Sequence, residues 1–358
     1  MDIKSGVSNF LITALVATLI GFPVCLFLSH RASSEGQIQF TYYKLRAVLG
    51  AREDPKSFSQ SDVKELEEVL AMAATENKTV IITTLNEAWA ANSTMIDLYL
   101  QSFHGGEKIE YLLGHMVIVT LDQKAHDRCL QLHPHCFRLK TSGVDFTGEK
   151  SFMSEDYLEM MWKRIQFLGE VLKLGYSFVF SDADIVWFRD PFERFFDNMD
   201  FQIACDRYYG RPFNVSRNAP NGGFVYVRSN QRTISMYKYW YEARLRNPGK
   251  HDQDVLNVIL REKEFDDIGV KLRFLDTIFF SGFCQKDRRD ITKVVTMHAN
   301  CCKGLSNKLE DLRLALDDWR SYKIVESVPH KLEKPDPTLQ MAWRAPLACV
   351  TSEQETIG

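Results

Sequence analysis

Two hydrophobic periods alternate along most of this chain. Helical spacing places Val63, Leu66, Val69 and Leu70 on one face of Asp62–Ala74, with Asp62 and Glu65 set as a capping box. It recurs at Ser93–Phe103 (Ile96, Tyr99, Leu100 and Phe103) and around Lys124–Leu132. The longest case is Ser154–Leu174, with Leu158, Met161, Ile165, Leu168 and Leu172 inward and Gly175 as its C-cap. Between these lie short runs that are apolar on both faces: Val80–Thr83, His115–Thr120, Phe137–Leu139, Tyr176–Phe180, Phe201–Cys205 and Phe224–Val227. Runs of that kind read as buried strands. Helices are predicted at Gln231–Arg246, Asp252–Glu262 and Lys308–Tyr322, with strand-like segments around Leu272 and Val294. Alternating strands and helices imply an α/β fold with one Rossmann-like, mostly parallel sheet flanked by helices.

The ends follow another pattern. Residues 7–28 carry no charge over 22 positions, enough to cross a bilayer as a helix and longer than the apolar stretch of a cleaved signal. Three acceptor sequons begin at Asn77, Asn92 and Asn214, all downstream of the span. The expected order is a cytosolic tail (1–6), a transmembrane signal anchor (7–28), a polar stem (29–60), a luminal globule (61–322) and a C-terminal tail (323–358). The last has no periodicity and is expected to be loosely attached. The composition is ordinary for a globule, 45% hydrophobic and 25% charged, and a net charge of -3 excludes a global basic field for nucleic acid.

Beyond Cys25 in the predicted span there are seven cysteines, an odd number, so at least one is unpaired within the chain. Cys129 and Cys136 are close enough to staple a helix end to the next strand. His133, His135 and Cys136 lack a second ligand pair at zinc-finger spacing.

Chemistry concentrates where the Tyr176–Phe180 run breaks into Ser181-Asp182-Ala183-Asp184. In an extended segment, side chains two apart point the same way, so Asp182 and Asp184 are predicted to converge at the carboxyl end of a strand, where α/β sheets bind ligands. Two such carboxylates repel unless a cation lies between them, and a hard divalent ion bridging a diphosphate meets that need. A plain Asp-capped turn is the structural alternative.

Around that pair, Thr83, Thr84 and Asn86 end the first strand, where a nucleotide-binding half contacts its nucleoside. Lys163 or Arg164 is placed to reach a diphosphate, or to lie on a solvated helix face. Asn221-Gly222-Gly223 lets backbone approach a sugar, or simply turns. Asp252 and Gln253 open a helix, where capping alone explains a carboxylate. His298 ends the run VVTMH at the same sheet edge, as a third ligand or as a structural histidine.

Together, NKTVIITTLNEAW (77–89), FSDADIVWFRDPF (180–192), DFQIACDR (200–207), PNGGFVYVRSN (220–230), HDQDVLN (251–257), FLDT (274–277) and MHANCC (297–302) resemble the plant nucleotide-diphospho-sugar transferases of glycosyltransferase family 77. That family includes rhamnogalacturonan xylosyltransferases and extensin arabinosyltransferases. The likeness spans about residues 75–322 and is strongest to the family's uncharacterised branch.

The resemblance implies a GT-A type fold and a Golgi type II membrane enzyme with its catalytic domain in the lumen. It implies a nucleotide-diphospho-sugar donor, a cell-wall polysaccharide or glycoprotein acceptor, a divalent metal (Mn2+ or Mg2+), and transfer with retention of configuration. Asp182 and Asp184 fall on the metal-binding pair and His298 on a third ligand. Lys308 falls on a diphosphate-contacting loop, although no Pro-Trp follows it, and Asp252 and Gln253 fall near the reacting sugar. Two other readings stand beside it. Asp182 to Val186 also fits the Asp-x-Asp-x-(Thr/Val) motif of haloacid-dehalogenase-type phosphatases, with Asp182 as nucleophile and magnesium as cofactor; there the motif normally opens the domain. A luminal protein that binds a glycan or another enzyme without catalysis is the third.

Overall fold

The computed structural model describes residues 58–140, 146–150, 153–327 and 342–350. The predicted tail and span, and the stem up to residue 57, lie outside the described residues. Among the described residues no helix is long and apolar enough to cross a membrane.

The described chain opens with helix α1 (Gln60–Ala73), which buries Leu66, Val69, Leu70 and Ala73. Its cap is Ser59, whose hydroxyl accepts the Asp62 N–H at 3.1 Å. The predicted Asp62–Glu65 capping box does not form, because the helix starts one turn earlier and both residues lie inside it, where their carboxylates bind Lys140 at 2.8 and 3.3 Å. There follow β1 (Thr79–Leu85), α2 (Glu87–Ala90), α3 (Met95–Gly105), β2 (Met116–Thr120), α4 (Gln123–Leu132), β3 (Cys136–Arg138), α5 (Glu155–Lys173) and β4 (Ser177–Ser181). Gly175, at φ +86°, ends α5 as predicted. The second half runs β5 (Ile185–Trp187), β6 (Phe201–Arg207), β7 (Ala219–Val227), α6 (Gln231–Ala243), α7 (Asp252–Ile259), α8 (Lys263–Ile268), β8 (Leu272–Phe274), β9 (Phe280–Gly282), β10 (Thr296–His298) and α9 (Leu305–Ser327).

Seven strands form the main sheet in the order β3-β2-β1-β4-β7-β6-β8. Every pairing in it is parallel except the two made by β7, so the predicted mostly parallel sheet is present. The expectation of a single sheet is corrected: β5, β10 and β9 build a second, three-stranded sheet. Its three-residue strands are too short to carry a period. β1 shows why the main sheet is buried on both faces. Val80 and Ile82 pack toward α1 and α5, whereas Ile81 and Leu85 pack toward α3 and the small sheet.

The Cys129–Cys136 staple forms as expected, and Cys284–Cys301 and Cys302–Cys349 are also disulfides; Cys205 is a free, buried thiol. Residues 342–350 return to the globule, correcting the expectation of a loose tail for that segment. Cys349 is bonded to Cys302, Trp343 and Ala345 are buried, and the Asp311 carboxylate accepts the N–H groups of Leu347 and Cys349, each at 2.7 Å. These partners lie tens of residues away, beyond the reach of any local pattern.

Candidate active site

The Asp-x-Asp pair stands where β4 leaves the main sheet. Asp182 and Asp184 do not converge through strand alternation as predicted. The Ile185 N–H bonds back to the Asp182 carbonyl at 3.2 Å, and this turn swings both side chains together as the chain enters the small sheet. The Asp182 N–H donates to the Gly223 carbonyl on β7 at 2.7 Å. From the other side, β10 pairs antiparallel with β5, placing His298 opposite Ile185, and the Ala299 N–H binds the Asp184 carbonyl at 3.0 Å. His298 Nε2 then lies 3.3 Å from Asp184 Oδ1 and 4.0 Å from Asp182 Oδ2. One ligand atom from each of the three residues falls within 4.8 Å of the others. Two hard carboxylates and one imidazole suit Mn2+ or Mg2+ better than a soft ion.

Gly223 makes room for this cluster. A Cβ there would lie 2.5 Å from Asp182 Oδ2 and 2.6 Å from His298 Cε1. The glycine pair thus lies inside a strand, and the nearest neighbours of its second member are metal-ligand candidates. Gly223→Ala is expected to raise the manganese half-saturation of activity about 10–100-fold, as displaced ligand partners do. A metal titration beside the parent checks this; an unchanged value would show that the three side chains do not share an ion.

Charge balance explains the protonation states. Burial by itself lifts both carboxyls. At Asp184 the Lys308 ammonium, 2.6 Å from Oδ2, and His298 outweigh burial and hold the carboxyl below the usual range. At Asp182 burial and the Asp184 charge prevail over Arg164, and the carboxyl titrates above it. Burial opposes the His298 cation, but Asp184 overcomes this and raises the imidazole above its ordinary value.

Arg164 reaches the cleft from α5. It donates to Asp182 Oδ1 and to Asp252 Oδ2, each at 2.8 Å, and its guanidinium lies over the Phe180 ring. Both ends of its fork are held by carboxylates. Lys163 is turned away, toward Gln166. Asp252 is fully buried and is joined to the cleft through Arg164, while the neighbouring Gln253 lines the wall. The Gln253 side-chain Oε1 accepts the Gly222 N–H at 3.0 Å and its Nε2 donates to Asp206 at 3.2 Å. Asp206 also accepts from Asn221 and Asn300, each at 2.8 Å.

The cleft is about 360 Å³, within the usual range for a small-molecule site. Thr84 and Asn86 line it, but Asn86 also holds the Phe146 and Gly148 carbonyls; Thr83 is fully buried and is not part of the wall. Sequence reasoning missed Asp206, Asn300, Trp89 and Tyr157 as wall residues. Asp206 alone carried a signal, since it ends an apolar strand as Asp182 does. Of the sequons, Asn77 and Asn92 are exposed, whereas Asn214 is half-buried and caps the N–H groups of Ser216 and Arg217.

Residues 111–312 match the family described as nucleotide-diphospho-sugar transferase. Two uncharacterised Arabidopsis thaliana proteins are similar along most of their length. One is 50% identical over 292 residues, covering 81% of this chain and 75% of that protein; the other is 44% identical over 271 residues, covering 74% and 80%. The A. thaliana protein named UDP-D-xylose:L-fucose alpha-1,3-D-xylosyltransferase 3 is 27% identical over 136 residues, 33% of this chain and 36% of that one. The apo-form glycosyltransferase GlyE of Streptococcus pneumoniae TIGR4 superposes with a TM-score of 0.39 at 12% identity, covering 70% of this chain and 64% of that one, too loosely to bear on the site.

Proposed function

Since the chain belongs to the nucleotide-diphospho-sugar transferase family and is a nucleotide-sugar-dependent glycosyltransferase, we propose that it transfers a sugar from a UDP-linked donor to a cell-wall polysaccharide or glycoprotein glycan, using a divalent ion. The observation that carries this reading is the meeting of Asp182, Asp184 and His298 beside Lys308 at one edge of the cleft. A bound Mn2+ or Mg2+ would neutralise charge on the donor diphosphate. The protein's own groups do the rest. Lys308 puts an ammonium where negative charge grows as the nucleoside diphosphate departs. Arg164 orients Asp182 through a hydrogen bond, and Asp252 acts by holding Arg164. Asp206, Gln253 and Asn221 form a hydrogen-bonded frame that presents one polar wall to the sugar.

Retention of configuration, a GT-A type fold and a Golgi, type II membrane setting with a luminal globule belong to the same reading. The family resemblance, the apolar 7–28 stretch and the exposed Asn77 and Asn92 support them. UDP as the donor's nucleotide is supported by the name of the xylosyltransferase relative. The phosphatase reading is not favoured: β1, β2 and β3 precede the motif, and family membership speaks for sugar transfer.

The test is nucleotide release from a panel of UDP-sugars by the full-length protein. Chelation is expected to stop release and Mn2+ to restore it. Release indifferent to chelators would remove the metal from the proposal, and no release from any donor would favour the non-catalytic glycan-binding reading.

A further inference from the structure

The buried side of the Asp-x-Asp turn carries hydroxyls that the chemistry above does not use. Thr83 lies on β1, Tyr99 on α3, and Ser181 is the last residue of β4; all three are fully buried. The Ser181 hydroxyl donates to the Asp182 carbonyl at 3.2 Å and accepts the Trp187 indole N–H at 3.1 Å. The same carbonyl takes the Ile185 N–H that closes the turn. Trp187 stands on β5 opposite Thr296, two residues before His298. Its backbone N–H donates to the Ser102 hydroxyl at 3.0 Å, which donates to the Tyr99 carbonyl at 2.6 Å. Ser181 thus ties the turn that bears two candidate ligands to the strand that sets the register of the third.

Ser181 gives its proton to Asp182 and one lone pair to Trp187, so it can still accept once more. The Tyr99 hydroxyl faces those of Ser181 and Thr83. Burial pushes this phenol well above its ordinary value, so it keeps its proton as a donor. Yet neither the Tyr99 hydroxyl nor Thr83 Oγ1 has a hydrogen-bond partner among the described residues. Buried hydroxyls are ordinarily matched. A phenol on a packed helix and a threonine inside a central strand have little room to move. The element with freedom is the Ser181–Asp182 peptide, where the chain leaves the main sheet.

We propose that Thr83, Tyr99 and Ser181 are positioning residues for the ion. As Asp182 takes the ion, its peptide brings Ser181 into reach of Tyr99, Thr83 donates to Tyr99 and Tyr99 to Ser181, and the completed chain fixes the Asp182 carbonyl. The inference rests on the divalent-ion reading above. It gives Thr83 a place behind the ion rather than at the nucleoside.

A bond made only in the loaded protein adds to ion affinity and adds nothing to the stability of the ion-free fold. Calorimetric titration of Mn2+ alone into the full-length protein, with melting temperatures taken in chelator, reads the two separately. Tyr99→Phe and Thr83→Val remove a hydroxyl at nearly constant volume. Each is expected to weaken Mn2+ binding about tenfold, as lost partners of ligand residues do. Their melting temperatures in chelator should equal or exceed the parent's, because an unmatched buried hydroxyl is costly to keep. Thr83→Ser, which retains the hydroxyl, should bind Mn2+ as the parent does. Parental affinity in both Tyr99→Phe and Thr83→Val would overturn the proposal. So would a lower melting temperature with affinity unchanged, which would mark the hydroxyls as structural. Absence of Mn2+ binding by the parent itself would overturn the ion reading and this inference with it, so the two failures are told apart.

Discussion

Asp184→Asn is expected to cut metal-dependent donor turnover roughly 10³-fold or more, the rate equivalent of losing about 4 kcal/mol of charge stabilisation at the diphosphate. The substitution keeps the shape of the side chain and removes one candidate ligand charge. It also strips Lys308 and His298 of their shared carboxylate. Mutual repulsion of Asp182 and Asp184, the only effect visible in the sequence, implies that neutralising either one costs no stability. The structure reverses that expectation for Asp184, because Lys308 and His298 already compensate its charge. A measurable fall in melting temperature should therefore accompany the loss of activity. pH gives a second check. A metal binds the neutral imidazole, and the neighbouring carboxylates raise His298 above its ordinary value. Lowering the pH should weaken manganese binding to the parent from above the usual imidazole range, near 6.5, downward. Near-parental turnover in Asp184→Asn, at matched metal, would dismiss this cluster as the ion site.

The largest stability effect is expected from Arg164→Met. The arginine is buried and hydrogen-bonds two carboxylates, of which Asp252 has no exposed surface. Removing the guanidinium leaves both acids with only a histidine nearby, His298 for Asp182 and His251 for Asp252, and breaking a buried pair this way costs about 3–5 kcal/mol. For a domain of this size that is a fall in melting temperature of roughly 10 °C. Arg164→Lys should recover only part of it, because one ammonium cannot reproduce a planar fork reaching two separate carboxylates. Asp252→Asn should cost less than Arg164→Met, since it removes a charge and leaves Arg164 paired with Asp182. Thermal and urea unfolding of the three variants rank them. An Arg164→Met protein within 1 kcal/mol of the parent would show that the bridge is not what holds the two acids in place.

Much of this was written in local pattern. Apolar runs at 80–83, 115–120 and 176–180 became three adjacent parallel strands of the main sheet, because a stretch buried on both faces admits few other conformations. The break from Phe180 to Asp184 marked the sheet edge that carries the chemistry, and VVTMH brought His298 to it. Tertiary structure decided what local periodicity cannot encode. The three-residue strands of the small sheet exist only because each has partners far along the chain, and their pairing is what sets His298 against Asp184. Arg164 had the spacing of either a solvated residue or a phosphate ligand. It became a bridge because Asp252, 88 positions later, folds back onto it. The frame around Asp206 stayed hidden because its three amide donors come from three separate segments. Backbone geometry dictates the period within a segment, whereas the meeting of side chains from distant segments depends on how the whole chain closes, and that closure placed the charges of this site.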